Sequence, residues 1–330
     1  MSNRFVRFLP GKCLVWVILI LAIFLTNICR SAFAEKIYFA YPSPSTSFLP
    51  LVVAQKRGFF NDENIQLELV NVRPAITVAG LLTGQIDYTT VLGTPIGARM
   101  RGAPVVIVAV FTDKPMDFLV GGKGIRSAKD LNGQAVGISV LGSATHFVTA
   151  RMLNALGLEP NRNVTIRAVG DEGLRLQALE SGLIQAALLG SQGVIQARQR
   201  GFEVIAAAAD VIDNLPLGGV TTTLKKVKEN PGQVRRVLRT GLRALRYVRE
   251  NRTGTIDAIQ SWFRLDRNTA SATYDLAIKS HSSNGEVSEK GISLSMDLAK
   301  ATGKFEKEIP PSEMVDFGIL RELRKELAWP

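Results

Sequence analysis

The chain has 330 residues, 46% of them hydrophobic and 21% charged, with a formal net charge of +11. That length suffices for two domains with a sizeable core, and the composition excludes a disordered or collagen-like chain. The first 34 residues do not read as part of a fold. Arg4, Arg7 and Lys12 precede the uninterrupted apolar run "LVWVILILAIFL", Leu14–Leu25. "AFA" at Ala32–Ala34 then puts small residues three positions and one position before a cut between Ala34 and Glu35. This is the pattern of a cleavable secretory signal peptide. The alternative is a retained membrane anchor, for which the run is short, since a span needs about 20 residues. Cys29 is not read as a lipid attachment site, because "TNI" in front of it lacks a small residue directly before the thiol.

Cleavage removes Cys13 and Cys29, the two cysteines of the chain, together with four basic residues and no acidic ones. The formal charge then falls from +11 to +7. The remainder has no disulfide, thiolate metal site or cysteine nucleophile. Export disfavours a nucleic-acid role, and the residual basicity is expected on a solvated surface or against an anionic partner.

"KIYFAY", Lys36–Tyr41, predicts a first strand, followed by the loop "YPSPSTS". "FLPLVVAQKRG" predicts a buried helix ended by basic residues and Gly58. "IQLELVNV", Ile65–Val72, alternates as a strand does. Pro74 opens the next helix and Gly84 closes it. "IDYTTV" is a third strand, "GTPIGARMRG" a third helix, and "PVVIVAVF", Pro104–Phe111, a strand apolar enough to be buried on both faces. The series then restarts. A short helix leads into a strand ending at Ser139, and Ser143 caps a helix that stops at Gly157. Strand, helix, strand, helix and strand follow in "NVTIRAV", "DEGLRLQALESG", "QAALLG", "SQGVIQARQRG" and "FEVIAAAAD". "LLTGQIDYTTVLG" parallels "ALESGLIQAALLG", which suggests a duplicated α/β unit with a mostly parallel sheet. After Asp210 helical patterns prevail and no new strand series is visible. The first of these helices is amphipathic, with Val234, Val237, Leu238, Leu242, Leu245 and Val248 on one face. Its Arg235, Arg239, Arg243 and Arg246 form a stripe expected to be a solvated face, and no aromatics interleave it as single-stranded nucleic acid binding requires.

The ordered series "FLPLVVAQKRGFFNDENIQLELV", "LLTGQIDYTTVLG", "RGAPVVIVAVF" and "GIRSAKDLNGQAVGIS" followed by "GSA" resembles one group of proteins. These are the bacterial substrate-binding proteins that serve ABC importers of nitrate, sulfonates, taurine and thiamine pyrimidine precursors. The resemblance covers roughly residues 36–270. It implies a two-lobed α/β periplasmic binding protein fold of the type 2 kind, with a ligand cleft between the lobes. The expected division is a signal peptide over 1–34, a first lobe over 35–118, a second over 119–217, and a return crossing with C-terminal helices on the first lobe over 218–330. The crossings are expected near Asp117–Gly122 and Asn214–Thr223. The implied partners are a small-molecule ligand and a membrane permease, with the receptor a periplasmic monomer.

In parallel sheets, ligands lie beyond the carboxyl ends of strands, where helix N-termini offer free N–H groups. That logic selects Ser43, Ser45, Thr46, Arg73, Thr90 and Thr94 from the first lobe. It selects Ser143, Thr145, His146, Glu172, Ser191 and Gln192 from the second, and Gly219 beside Gly218 at the return crossing. The hydroxyl residues can equally be helix caps, Arg73 a surface arginine, and Glu172 a first-turn acid that favours the helix dipole. His146 follows Ser143 by three residues, but no orienting acid or nucleophile elbow makes them a hydrolytic pair. No catalytic residue, cofactor or metal is expected: the two histidines, His146 and His281, are far apart, and no phosphate loop occurs. Two alternatives carry different functions. One is a ligand-sensing subunit of a membrane receptor. The other is a pyrimidine-precursor enzyme on the same fold, against which the loss of both cysteines and the export signal count.

Overall fold

A computed structural model describes residues 34–42, 44–302 and 308–329. Residues 1–33 of the predicted signal peptide and Ser43 lie outside the described residues. Strand β1 (Glu35–Tyr41) begins at the residue after the predicted cut. It is followed by a 3-10 turn (Thr46–Phe48), α1 (Leu49–Lys56), α2 (Phe59–Asp62), β2 (Ile65–Asn71), α3 (Pro74–Thr83), β3 (Tyr88–Val91), α4 (Gly93–Met100) and β4 (Val105–Thr112). The second series runs β5 (Asp117–Gly121), β6 (Ala135–Ile138), α5 (Ala144–Ala155), β7 (Thr165–Ala168), α6 (Glu172–Glu180), β8 (Ala186–Gly190), α7 (Ser191–Gln199) and β9 (Glu203–Ala207). Then come β10 (Gly218–Thr223), α8 (Leu224–Glu229), α9 (Pro231–Glu250), α10 (Arg252–Phe263), α11 (Arg267–Ala277), α12 (Glu289–Thr302) and α13 (Gly318–Glu326).

Two five-stranded sheets result, in the orders β2-β1-β3-β10-β4 and β7-β6-β8-β5-β9. In each, one strand is antiparallel: β10 against β3 and β4, and β5 against β8 and β9. The two orders are the same pattern, so the duplication read from the chain is a duplication of topology. The paralleled segments occupy equivalent places. Gly84 and Gly182 take left-handed backbone (φ 75° and 74°). The amides of Ile86 and Ile184 each donate back to a carbonyl six residues earlier, at 3.0 and 3.3 Å. β3 and β8 each stand third in their sheets. A left-handed turn suits glycine because it has no Cβ to clash.

Strand β10 corrects the reading of a strand-free C-terminal third. "GGVTTT" lacks apolar alternation, yet all but its last residue are buried in the first sheet. Strand β5 likewise shows that the first crossing is itself a sheet strand. Gly219 sits within β10, where a Cβ would overlap the Ala109 carbonyl of the paired strand. Its glycine identity is therefore required by strand approach.

The core follows the sheets. In the second, alternate residues of β5 and β8 face opposite ways. Leu119, Ala186 and Leu188 pack with Val148, Met152 and Leu153 of α5. Phe118, Val120, Ala187 and Leu189 pack with α6 and α7 through Leu176, Leu179 and Val194. The first sheet shares its core with α1, α9, α10 and α13. The last helices do not all belong to one lobe. α12 gives Ile292 and Met296 to the first core, while its Leu294 and Leu298 pack against the second.

The arginine stripe of α9 is an ion-pair network rather than a merely solvated face. Arg235 pairs with Glu322 (2.8 Å) and Glu326 of α13, Arg236 with Glu35, Arg239 with Glu63 (3.0 Å), and Arg243 with Asp62 (2.8 Å). Partial exposure limits each pair to about 0–1 kcal/mol, so burial of the apolar face of α9 is the larger contribution.

Gly219→Ala is expected to destabilise the protein by about 1–3 kcal/mol through overpacking. Gly232→Ala, in the first turn of α9 with open space around its Cβ position, is expected to be neutral or mildly stabilising. Urea unfolding of both variants checks this, and equal stabilities would contradict it.

Candidate ligand cleft

The topology brings the carboxyl ends of both sheets together. β4 ends at Thr112 and β5 begins after only four intervening residues, at Asp117. Asp117 lies in register with Gly190, the last residue of β8. Gly218, the first residue of β10, lies opposite Val91 and Thr112, the last residues of β3 and β4. Strand ends from both sheets and both crossings therefore converge, which is where ligands of α/β proteins bind.

On the first-lobe side, Ser45 caps the 3-10 turn by accepting from the Ser47 amide at 3.2 Å. Thr46 is buried, and its hydroxyl donates to the Met116 sulfur in the crossing at 3.1 Å. The Thr112 hydroxyl donates to the Ser47 carbonyl at 3.1 Å. Gly218 packs on that same carbonyl, which a Cβ would approach to 2.5 Å. Thr90 is 1% exposed and its Oγ1 has no partner among the described residues. Thr94 is half-buried in the first turn of α4. Arg73 is exposed at the end of β2, just before α3, and makes no ion pair among the described residues.

On the second-lobe side, Ser143 caps α5 by accepting from the His146 amide. Ser143 also donates to the Val140 carbonyl at 2.6 Å and meets Thr145 at 2.8 Å. Thr145 in turn meets Ser139 at 2.6 Å and accepts from its amide at 3.1 Å. His146 Nδ1 accepts from the Gly142 amide at 2.9 Å, which leaves its proton on Nε2. These residues form one hydroxyl-lined loop. Glu172 accepts from the Gly190 amide at 2.6 Å, tying the start of α6 to the end of β8. Ser191 is 6% exposed, and its Oγ has no partner among the described residues. Gln192 is exposed and faces a cavity of about 370 Å³ whose other wall is Phe263, Arg264, Leu265 and Asp266. It thus stands between α7 and the C-terminal helices.

Three residues that matter here were not selected from the sequence. Arg175 is a buried arginine that donates to the Leu188 carbonyl at 2.9 Å and the Gly170 carbonyl at 2.7 Å, beneath the ends of β7 and β8. Asp117 keeps partial solvent access and has no side-chain hydrogen bond among the described residues. Burial and the neighbouring Glu172 push its carboxyl up to about 6, with Arg175 opposing. His281 bridges to Thr112 and lies buried, with Nδ1 on the Ala277 carbonyl at 2.9 Å and Nε2 unpartnered among the described residues. Burial pulls it down to about 4, with the Ala277 carbonyl opposing. Available signals were weak: Asp117 is a lone acid ahead of "FLVG", and Arg175 breaks the apolar face of its helix.

A larger cavity, of about 530 Å³, lies at the opposite end of the first sheet, against Ile86, Pro104 and the Asp87–Lys226 ion pair (2.5 Å). Its charges already satisfy each other, so convergence of strand ends and unpartnered buried hydroxyls outweigh size in placing the site. Among the described residues no helix is long and apolar enough to cross a membrane.

The family model described as NMT1/THI5 like matches residues 45–253. The chain belongs to the NMT1/THI5-like family. Among relatives of this family member is the riboflavin-binding protein RibY of Chloroflexus aurantiacus, 27% identical over 61% of this chain and 59% of the relative. A second is the 4-amino-5-hydroxymethyl-2-methylpyrimidine phosphate synthase of Legionella pneumophila, 27% identical over 36% of this chain and 38% of the synthase. The chain thus spans less than two thirds of the length of the curated relatives it matches. The family fold is that of the periplasmic aliphatic sulphonate binding protein SsuA from Escherichia coli. That structure aligns with a TM-score of 0.69 at 18% identity, over 87% of this chain and 92% of SsuA.

Two buried groups of this family member shift in opposite senses in the acid range. His281 has a folded value below its ordinary 6.5, so its contribution is full above 6.5 and lost as pH falls towards about 4. Asp117 has a folded value above its ordinary 3.8, so its contribution is full below 3.8 and lost as pH rises through about 6. Each is worth on the order of 3 kcal/mol at most. His281→Gln is expected to flatten the acid loss of stability between pH 7 and 4, and Asp117→Asn to steepen it. Urea unfolding across that range reads both slopes; slopes equal to wild type would contradict the assignment.

Proposed function

We propose that the protein is an exported solute-binding receptor that captures a small polar or anionic organic molecule between its lobes and delivers it to an ABC importer in the membrane. The observation that carries this reading is the pair of buried, unpartnered hydroxyls, Thr90 and Ser191, at the carboxyl ends of β3 and β8, the third strands of the two sheets. A buried hydroxyl without a partner costs about 1–3 kcal/mol, and a ligand in the cleft removes that cost. The likeness to SsuA and RibY supports binding rather than chemistry, and the periplasm is the location in keeping with the predicted signal. Matches to synthases support an enzyme as the second reading; the cysteine-free chain after Ala34 weighs against it. The proposed lobes are 35–118 with the return segment and C-terminal helices, and 119–217. The two crossings are the hinges about which they close.

A thermal-shift screen of refolded, ligand-free protein against sulfonates, carboxylates and small heterocycles, riboflavin among them, tests the reading. One class of solute is expected to raise the melting temperature in proportion to the logarithm of its concentration. Calorimetry on that solute should show Arg73→Ala weakened about tenfold or more, the loss of a charge-assisted hydrogen bond of roughly 1.5–3 kcal/mol. Arg73→Lys should restore only part, because an ammonium lacks the planar fork. No stabilising solute would contradict the receptor reading. Unchanged affinity in Arg73→Ala would make Arg73 a surface residue and move recognition to Ser143, His146 and Gln192.

A further inference from the structure

The second lobe places two carboxyl groups, Asp117 and Glu172, at the strand ends by the first crossing. Asp117 stands at the first residue of β5, directly after the crossing, with partial solvent access and no side-chain hydrogen bond among the described residues. The charged groups beside it are Glu172 and Arg175, both from α6. Arg175 is committed elsewhere. Its Nε and Nη1 donate to the Leu188 and Gly170 carbonyls, and Nη2 comes no nearer to Glu172 than 3.9 Å. Glu172 is held by the Gly190 amide. Both Gly190 and Gly193 pack so closely on its carboxylate that a Cβ at either would crowd it. Of the two carboxyl groups that act on the Arg175 guanidinium, Glu172 is hydrogen-bonded and Asp117 is not.

A second observation lies at the same strand end. Ser191 directly follows Gly190, the register partner of Asp117. Its residue is 94% buried, and its hydroxyl lacks a partner among the described residues. An acceptor carboxyl and an adaptable hydroxyl, both unbonded and one residue apart in the register of β5 and β8, suit a ligand group that donates hydrogen bonds. They repel a bare anion approaching from this side, because like charges at close range are costly in a poorly solvated site.

We propose that Asp117, with Ser191, is the specificity-determining pair of the second lobe, and that it takes the nitrogen-bearing end of the solute: an ammonium, amidinium or heterocyclic N–H donor. The inference rests on the cleft being a solute site, and it narrows the solute class. A simple sulfonate, carboxylate or nitrate would leave the pair unsatisfied. Any anionic group belongs at the other wall, near Arg73. The upward displacement of the Asp117 carboxyl agrees with a site whose charge awaits a donor.

Carbon-13 NMR of the aspartate carboxyls, with amide spectra of Ser191, tests the pair directly. The two probes are acetamidinium chloride and sodium methanesulfonate, at matched ionic strength. Acetamidinium is expected to shift the Asp117 carboxyl and the Ser191 amide and to lower the Asp117 titration midpoint. Methanesulfonate should leave both in place. In Asp117→Asn the Ser191 response to acetamidinium should vanish, while amide signals elsewhere keep their wild-type positions. A response to methanesulfonate, equal responses to both probes, no response to either, or a Ser191 response that survives in Asp117→Asn would overturn the proposal. Because the probes are fragments, this outcome is independent of the solute screen: the screen decides whether the cleft is a receptor site, and the fragments decide what its second wall recognises.

Discussion

One constraint organises the molecule: each sheet accepts, beside its parallel strands, a single antiparallel strand that carries the chain between lobes. β5 enters the second sheet after four intervening residues once β4 leaves the first, and β10 enters the first after β9 leaves the second. A strand inserted antiparallel must start where its parallel neighbours end. The carboxyl edges of both sheets are therefore forced to the crossings, and towards each other. Every feature of the candidate site follows from that placement. Thr90 and Gly218 belong to the first edge, Gly190 and Ser191 to the second, and Asp117 to the junction.

The glycines of β10 show how narrow the tolerance is. Gly218 lies on the Ser47 carbonyl and Gly219 on the Ala109 carbonyl, so neither position admits a side chain without displacing backbone. The 3-10 turn behind "YPSPSTS" is thereby pinned to the return strand, with the Thr112 hydroxyl bonded to the same Ser47 carbonyl. The 3-10 turn that leads into the buried helix α1 thus sits beside the place where the chain comes back.

Much of this was legible in the chain. Apolar runs and left-handed glycine stops marked α1, α3, β3, β4 and β8, because each of those signals is local. The repeat between "LLTGQIDYTTVLG" and "ALESGLIQAALLG" revealed the duplication. β10 was not legible, since "GGVTTT" carries no apolar alternation and becomes a strand only through its two neighbours. The sharing of α12 between cores depends on tertiary packing, and periodicity reports which residues are apolar but not what they meet. The site divides the same way. Thr90 and Ser191 follow from strand-end logic, whereas Asp117, Arg175 and His281 gain their character from burial and neighbours distant in sequence. Arg175 meets Leu188 thirteen residues on, and His281 bridges to Thr112 on the edge strand of the first sheet.

The central claim is that two lobes close on a solute about these crossings. Both crossings leave at the β4 and β9 sides, so β2 and β7, with the helices after them, lie farthest from the hinge. The chain from Glu35 onward has no cysteine, so spin labels can be placed cleanly at exposed Ala75→Cys on α3 and Gln177→Cys on α6. Pulsed electron resonance then reads the distance between them. The account predicts a shorter mean distance when the solute that raises the melting temperature is saturating. An unchanged distance at saturation would contradict it.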